Sequence, residues 1–400
     1  EAEPRGAGRP GFTRMEASAT GLAFTNLIAE SRHLTNQVLL NGSGIAAGDV
    51  DGDGRSDVFL CGFDNANALY RNLGDWRFEE VAAVSGVEMP GVDCTGAAMA
   101  DVDGDGDLDL VVNTLGQGTW VLINDGRGRF ERRELLNPGS AGMTSALADV
   151  DGDGFLDLYV VNYRMRALMD MPNTRMTFRK LQDGRVVVDT VNGRPATDPE
   201  FLDRFLVNEA GGIEEQGEPD RFYRNEGGAR FVEVPWTGGA FLDEAGKPLS
   251  APPRDWGLAA MFHDVNGDGR PDLYVCNDFQ TPDRFWINEG GGRLRLASPL
   301  ALRRTSLSSM AVDFADVDRD GRVDFFVADM LSRDHGVRMR WVRDNFPHKP
   351  VVGRYDDRPQ YEQNMLQVGT GDGRWSERAQ MAGVVASDWT WACAFVDVDL

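Results

Sequence analysis

Five stretches of this sequence set acidic or amide side chains at alternate positions ahead of a glycine, in the pattern D-x-[DN]-x-D-G-x-x-D: DVDGDGRSD from Asp49, DVDGDGDLD from Asp101, DVDGDGFLD from Asp149, DVNGDGRPD from Asp264 and DVDRDGRVD from Asp316. A sixth, DVDL from Asp397, stands at the last residues. A glycine-centred turn lets such alternate side chains point inward, while position seven offers a main-chain carbonyl and position nine a carboxylate. Hard oxygen donors of this kind and number select calcium. The side-chain ligands expected are Asp49, Asp51, Asp53 and Asp57; Asp101, Asp103, Asp105 and Asp109; Asp149, Asp151, Asp153 and Asp157; Asp264, Asn266, Asp268 and Asp272; Asp316, Asp318, Asp320 and Asp324; and, in the sixth, Asp397 and Asp399. The carbonyls would come from Arg55, Asp107, Phe155, Arg270 and Arg322. Without a cation, each loop would crowd its carboxylates against strong mutual repulsion, which a divalent ion relieves.

An EF-hand loop begins the same way, but it needs a bidentate glutamate at position twelve and a helix after it. Position twelve is Leu60, Val112, Val160, Val275 and Val327. A strand core residue replaces the carboxylate in all five loops, which excludes the EF-hand. A metal-free Asx-rich turn explains one such loop; five with the same downstream strand make that reading weak.

The loops need a scaffold that repeats. Their starts lie 52, 48, 115, 52 and 81 residues apart, so a unit of about 50 residues carries one long and one shorter insertion. Units of 40 to 50 residues suit the four-stranded blades of a propeller. Small residues precede the loops, as in Ile45-Ala46-Ala47-Gly48 and Ala97-Ala98-Met99-Ala100, and suit first strands at a crowded axis. β-Rich runs follow them, such as Val58-Phe59-Leu60, Leu158-Tyr159-Val160 and Leu273-Tyr274-Val275, and read as second strands buried between blades. Turns at Asn72-Leu73-Gly74, Asn124-Asp125-Gly126, Asn225-Glu226-Gly227 and Asn288-Glu289-Gly290 join strands three and four. The outermost strand has its own signature, Arg77-Phe78-Glu79-Glu80-Val81-Ala82 then Ser85-Gly86-Val87, which recurs from Arg374 and opens the chain as Gly11-Phe12-Thr13-Arg14-Met15-Glu16-Ala17 then Thr20-Gly21-Leu22.

The expectation is an all-β propeller of four-stranded blades, seven in the complete ring, with five blades here, the start of a sixth and an N-terminal strand that closes the ring. Residues 1–10 read as a disordered tail, 11–43 as the closing strand and lead-in, 44–93, 94–142, 143–254, 255–304 and 305–388 as blades 1 to 5, and 389–400 as the start of blade 6, where the sequence looks truncated. Blade 3 carries the insertion 163–219, with a hairpin around Gln182-Asp183-Gly184 and a short helix after Thr197; blade 5 carries 329–363, with basic residues at Arg333, Arg338 and Arg340, and two readings stand for these excursions, a binding surface on one face or, equally, a cap or loop without a partner whose arginines form a solvated helix face.

Composition narrows the function. Of 400 residues, 64 are acidic and 41 basic, a net charge of −23 that repels nucleic acid and anionic membranes and calls for cations. Glycine, at 47 residues, implies many turns. The four cysteines lack any CxxC spacing, so zinc is unsupported; Cys61 and Cys276 occupy equivalent repeat positions and read as small buried strand residues, with a Cys61–Cys94 bridge as the alternative. No apolar run reaches membrane-spanning length, and residue 1 is Glu rather than Met, as after removal of a leader. The histidines His33, His263, His335 and His348 form no triad or HExxH pattern, and His263 reads as structural.

The repeats resemble the FG-GAP or VCBS propellers, whose blades in integrin α subunits carry the same loop. Gly42-Ser43-Gly44-Ile45-Ala46, Leu69-Tyr70-Arg71-Asn72 and Ala386-Ser387-Asp388-Trp389-Thr390-Trp391 make the likeness closer to the cartilage acidic protein type, which often carries an ASPIC and UnbV domain. That resemblance implies calcium-dependent folding, a secreted, periplasmic or surface location, and adhesion to an extracellular protein or glycan. Two alternatives to an adhesion scaffold stand beside it: a lectin-like binder using exposed aromatics such as Trp236, Trp256 or Trp341, and a propeller-based polysaccharide hydrolase or lyase.

Overall fold

The computed structural model describes residues 13–208, 211–279, 281–341, 352–353 and 358–397, and the side chain of residue 341 falls outside that set. Within these residues, five antiparallel sheets take their strands in chain order. Blade 1 is Ile45–Gly48, Asp57–Leu60, Ala68–Asn72 and Phe78–Glu80; blade 2 is Cys94–Ala100, Asp109–Thr114, Thr119–Asn124 and Phe130–Leu136. Blade 3 is Gly142–Ala148, Asp157–Asn162, Arg221–Asn225 and Phe231–Glu233; blade 4 is Gly257–His263, Asp272–Asn277, Arg284–Asn288 and Leu294–Leu296; blade 5 is Ala311–Ala315, Asp324–Ala328, Met365–Gly369 and Trp375–Glu377. A short strand, Phe241–Leu242, joins the outer edge of blade 4 in parallel.

The first strands of successive blades lie against one another, as a propeller requires. Their small residues make that approach possible. A Cβ on Gly44 would sit 2.5 Å from the Gly96 Cα, and one on Gly96 would sit 2.0 Å from the Met143 carbonyl oxygen. Residues of these five strands, with residues 391–392, line a cavity of about 340 Å³.

In blades 2, 3 and 4 the second strand is buried on both faces, which is why its sequence is a near-continuous apolar run rather than an alternating one. Their side chains fill the spaces between blades. Phe59 and Leu69 of blade 1 meet Leu110, Val112 and Leu122 of blade 2. Between blades 3 and 4 the filling is aromatic: Tyr159, Phe222, Trp236, Phe241 and Trp286 form one cluster. Each such ring contributes about 2–3 kcal/mol by leaving water.

The outer-strand signature forms as expected in blades 1 and 5, where Ala82–Ser85 and Ala379–Ala382 are single helical turns closed by left-handed Gly86 and Gly383. At the start of the chain its helical half recurs as Ala17–Thr20 with left-handed Gly21. Residues 13–16 are not in a strand, and the remainder of the expected closing strand and the tail 1–10 lie outside the described residues.

The insertion after blade 3's second strand holds the expected hairpin, Met176–Lys180 with Val186–Val191, and a second, Phe205–Val207 with Ile213–Glu215. The helix expected after Thr197 is instead a pair of turns in which Phe201 and Leu202 both donate to the Asp198 carbonyl. Arg194 lies across these turns, with Asp198 at 2.9 Å, Glu200 at 2.6 Å and its guanidinium 4.8 Å from the Phe201 ring. In the second excursion, His335–Trp341 is helical, but Arg338 donates to the Ser332 carbonyl, Arg333 to that of Ala386 and Arg340 to that of Gly336, so all three arginines fasten the chain to itself.

Two of the aromatics expected to be exposed are core. Trp236 packs among the rings between blades 3 and 4, and Trp256 is 2% exposed with its indole N–H on the Glu215 carbonyl. Trp341's side chain lies outside the described residues. The cysteines are free thiols, with Cys61, Cys94 and Cys276 buried; burial pushes the Cys94 thiol up to about 11. His263 stacks on Phe314 with centroids 5.0 Å apart, a structural place.

Candidate metal centres and the cavity at the opposite end

Each acidic loop leaves the end of a first strand and enters the second strand at its position-nine aspartate. Position one organises the turn. The Asp49 carboxylate accepts main-chain N–H bonds from Gly52, Asp53 and Gly54, and Asp149 and Asp264 repeat all three contacts. Gly52 and Gly54 have φ of 74° and 85°, so glycine suits both sites.

Position nine does something the sequence pattern did not reveal. Asp57, Asp109, Asp157, Asp272 and Asp324 are all buried. One oxygen of each accepts from the position-two N–H of its own loop, at 2.9–3.3 Å. The other accepts from the last residue of the third strand, Asn72, Asn124, Asn225, Asn288 or Gly369, at 2.7–3.0 Å. The residue is therefore a clamp between loop and sheet as well as a candidate ligand.

Those third-strand asparagines were also missed as functional. The side-chain amide of Asn124 donates to the Val50 carbonyl at 2.8 Å, Asn225 to Val102 at 2.6 Å and Asn288 to Val150 at 2.8 Å. Each acceptor is position two in the loop of the preceding blade, so every such asparagine ties one acidic loop to the next. The recurring Asn at the head of the hairpin turn was the available signal, and turn chemistry alone accounted for it.

The carboxylates converge. Oxygens of Asp49, Asp51 and Asp53; of Asp101, Asp103 and Asp109; of Asp149, Asp151 and Asp157; and of Asp316, Asp318 and Asp320 lie within 4.8 Å of one another in each set. The fourth loop has Asn266 at position three and keeps the same turn around Asp264. Of the sixth, Asp397 is described, whereas Asp399 lies outside the described residues. The residues fit a hard divalent cation: one oxygen each of Asp51 and Asp151 is buried with no hydrogen-bond partner, a costly state that a metal ion would end.

Electrostatics point the same way. Burial first, and then the neighbouring loop carboxylates, push Asp109 and Asp157 up to about 6 and Asp272 up to about 7, against the pull of their N–H donors. Asp57 and Asp103 shift upward from the same leading cause. The loops differ in how much charge they already cancel. Arg55, Arg270 and Arg322 at position seven pair with Asp53, Asp268 and Asp320, and Arg71 holds Asp51 at 2.9 Å. The second loop has Asp107 at position seven and Ile123 where blade 1 has Arg71.

First strands begin, and second strands end, at the other end of the blades. There the segments around Val38, Tyr163, Trp256, Phe279, Met310 and Met330 enclose a cavity of about 730 Å³. Two residues of the C-terminal segment, Trp389 and Trp391, border it while remaining 52% and 39% exposed.

An FG-GAP-like repeat family matches residues 49–112, 101–160 and 264–327. Cartilage acidic protein 1 of Homo sapiens is 32% identical over 98 residues, 24% of this chain and 15% of that protein. The Xenopus tropicalis protein of the same name is 25% identical over 342 residues, 78% of this chain and 52% of its own length. The chain thus spans about half or less of these curated relatives. Among solved structures, an Agrocybe aegerita lectin described as recognising non-reducing terminal N-acetylglucosamine shares 15% identity, covering 82% of this chain and 77% of its own, with a TM-score of 0.34. The BP39L lectin from Burkholderia pseudomallei shares 13%, covering 83% and 82%, with a TM-score of 0.36. The propeller assignment rests on the blades themselves. The chain thus carries FG-GAP-like repeats that take in all five complete acidic loops, and it is similar in sequence to the cartilage acidic proteins.

Proposed function

We propose that the chain is a calcium-stabilised binding scaffold that works outside the cytosol. The observation that carries this reading is the convergence of three carboxylate oxygens within 4.8 Å in four separate loops, two of which bury an oxygen without a partner. Calcium would supply the positive charge and the extra coordination. For sites with dissociation constants of about 10⁻⁴ to 10⁻³ M, millimolar calcium stabilises the fold by roughly 0.4 to 1.4 kcal/mol per site. Five independent sites would add about 2–7 kcal/mol, comparable with a domain's whole margin. Submicromolar calcium would leave such loops empty, which is the reason for an exported location, and no helix among the described residues is long and apolar enough to cross a membrane.

Binding rather than catalysis suits the side chains in hand. The densest carboxylates are occupied in loop architecture, and His263 is half-buried and stacked on Phe314. The ligand is an extracellular protein or glycan. A lectin-like reading has one observation in its favour, the exposed Trp389 and Trp391 beside the cavity, where a sugar ring could stack. Thermal melting of the chain with millimolar calcium and with EDTA tests the scaffold: calcium raises the melting temperature by several degrees, and identical curves would refute it.

A further inference from the structure

Position seven of each acidic loop offers its main-chain carbonyl to the expected ligand set, which leaves its side chain open to vary. The fold gives that side chain one place. In every blade it lies beside the glycine of the turn between the third and fourth strands: Arg55 beside Gly74, Asp107 beside Gly126, Phe155 beside Gly227, Arg270 beside Gly290 and Arg322 beside Gly371. Equivalent points next to the acidic clusters thus hold a cation in three blades, a carboxylate in one and an aromatic ring in one.

The three arginines make the same two contacts. Each Nε donates to the last carbonyl of the third strand, that of Asn72 at 2.8 Å, Asn288 at 2.9 Å or Gly369 at 2.9 Å. A terminal nitrogen pairs with the position-five carboxylate, Asp53, Asp268 or Asp320. A guanidinium anchored by a carbonyl and laid on a candidate ligand is a counter-ion built into the chain. To use that carboxylate, calcium must displace the guanidinium or tolerate its charge.

The second loop has no such counter-ion. Asp101, Asp103, Asp105, Asp107 and Asp109 put five carboxylates into one loop, and among the described residues no arginine or lysine pairs with any of them. The third loop has four, with Arg224 3.4 Å from Asp151. The first has four, answered by Arg55 and Arg71; the fourth has three, answered by Arg270; the fifth has four, answered by Arg322 and, at 3.9 Å, by Arg378.

We infer that the position-seven side chain sets the calcium affinity of its loop, so that the second loop fills first and the loops closed by Arg55, Arg270 and Arg322 fill last. The inference rests on the reading of the loops as calcium sites and ranks those sites. An exposed ion pair weakens a competing ion by about two- to fivefold, and a carboxylate in place of the guanidinium widens the spread to about tenfold. Without calcium, the arginines neutralise three loops while the second keeps its full repulsion.

Calcium titration of the EDTA-stripped chain, by equilibrium dialysis and calorimetry, tests the ranking with exchanges that leave every expected ligand atom in place. The parent takes up one ion about tenfold more tightly than the ions of the three arginine loops. Asp107→Arg lowers the affinity of that first ion about tenfold and Asp107→Asn about threefold, whereas Arg55→Gln tightens one weak ion by about two- to fivefold. In EDTA the melting temperature rises for Asp107→Asn and falls for Arg322→Gln, as charges that crowd or neutralise a loop require. Asp107→Arg repeats what three sister blades already place beside the turn glycine, and Asp107→Asn carries the test should that variant not fold. Ions of indistinguishable affinity, a first ion that keeps the parent affinity in the Asp107 variants, or melting shifts of one sign in EDTA would overturn the inference. Calcium uptake without the ranking removes only this inference. A chain that takes up no calcium removes the reading beneath it, and the melting shifts in EDTA still report whether the arginines neutralise their loops.

Discussion

At one end of the blades the chain repeats a nine-residue pattern five times, and at the other it closes a cavity with segments that share no pattern at all. The first end is held by main-chain geometry: position-one carboxylates collect their own turn, position-nine carboxylates clamp it to the third strand, and the asparagines of blades 2, 3 and 4 tie their blades to the loop before. The second is held by side chains from the lead-in, the blade 3 insertion and the C-terminal segment, as where Asp170 takes the N–H of Gln37 and Tyr163 donates to Asp278. Stability is thus expected to reside at the loop end and ligand choice at the cavity end. Substitutions at the two ends separate the properties.

The largest effect belongs to the clamp. Asp109→Ala strands two buried N–H donors, those of Val102 and Asn124, and destabilises the chain by about 2–4 kcal/mol in EDTA as well as in calcium. A loss seen only in calcium would make Asp109 a ligand alone. Asn225→Ala comes next, at about 1–3 kcal/mol by denaturant titration, because it cuts the bond to Val102 in the neighbouring blade. Asn72→Ala costs less, since the Asn72 amide reaches only the Ser56 carbonyl of its own blade among the described residues. Equal losses at the two positions would remove the link between blades.

A smaller effect separates the ends by pH. Asp220 and Asp283 are buried beside tyrosine hydroxyls at the cavity end of blades 3 and 4, and desolvation pushes each up to about 7. A carboxyl raised in the folded state binds its proton more tightly there than in the unfolded chain. Its stabilisation is full below the unfolded pKa of about 3.9 and is lost as pH rises through about 7. With calcium saturating, stability should fall between about pH 4 and pH 7, and Asp283→Asn should flatten that fall; a steeper fall in the variant would contradict the assignment. The smallest effect is that of Trp391→Ala on melting, within about 0.5 kcal/mol of the parent. A larger loss would show that the cavity end also carries the fold.

The loop end was legible in the sequence for a physical reason. A turn that gathers oxygens needs fixed residue types at fixed spacing, and buried second strands must be apolar throughout, so Asp49 to Asp57 and Val58 to Leu60 announce themselves. The clamp and the asparagine link were hidden because each depends on main-chain groups, which carry no residue signature. The cavity was hidden for a different reason: Val38, Tyr163, Trp256, Met310 and Trp391 stand far apart in sequence, and only the approach of the blades brings them to one place. Trp256, read as an exposed aromatic, is buried because its indole N–H satisfies the Glu215 carbonyl under the blade 3 insertion. In place of the short helix expected after Thr197 stands a pair of turns, whose Asp198 and Glu200 pair with Arg194 four and six residues before them, an arrangement that helix propensity does not contain.

Calcium binding by the acidic loops is tested most directly by counting ions. Equilibrium titration of the EDTA-stripped, dialysed chain should show about one calcium per complete loop, with millimolar or tighter affinity, and one fewer for each of Asp101→Ala and Asp149→Ala. A chain that takes up no calcium across the millimolar range, or whose count is unchanged by both substitutions, would contradict it.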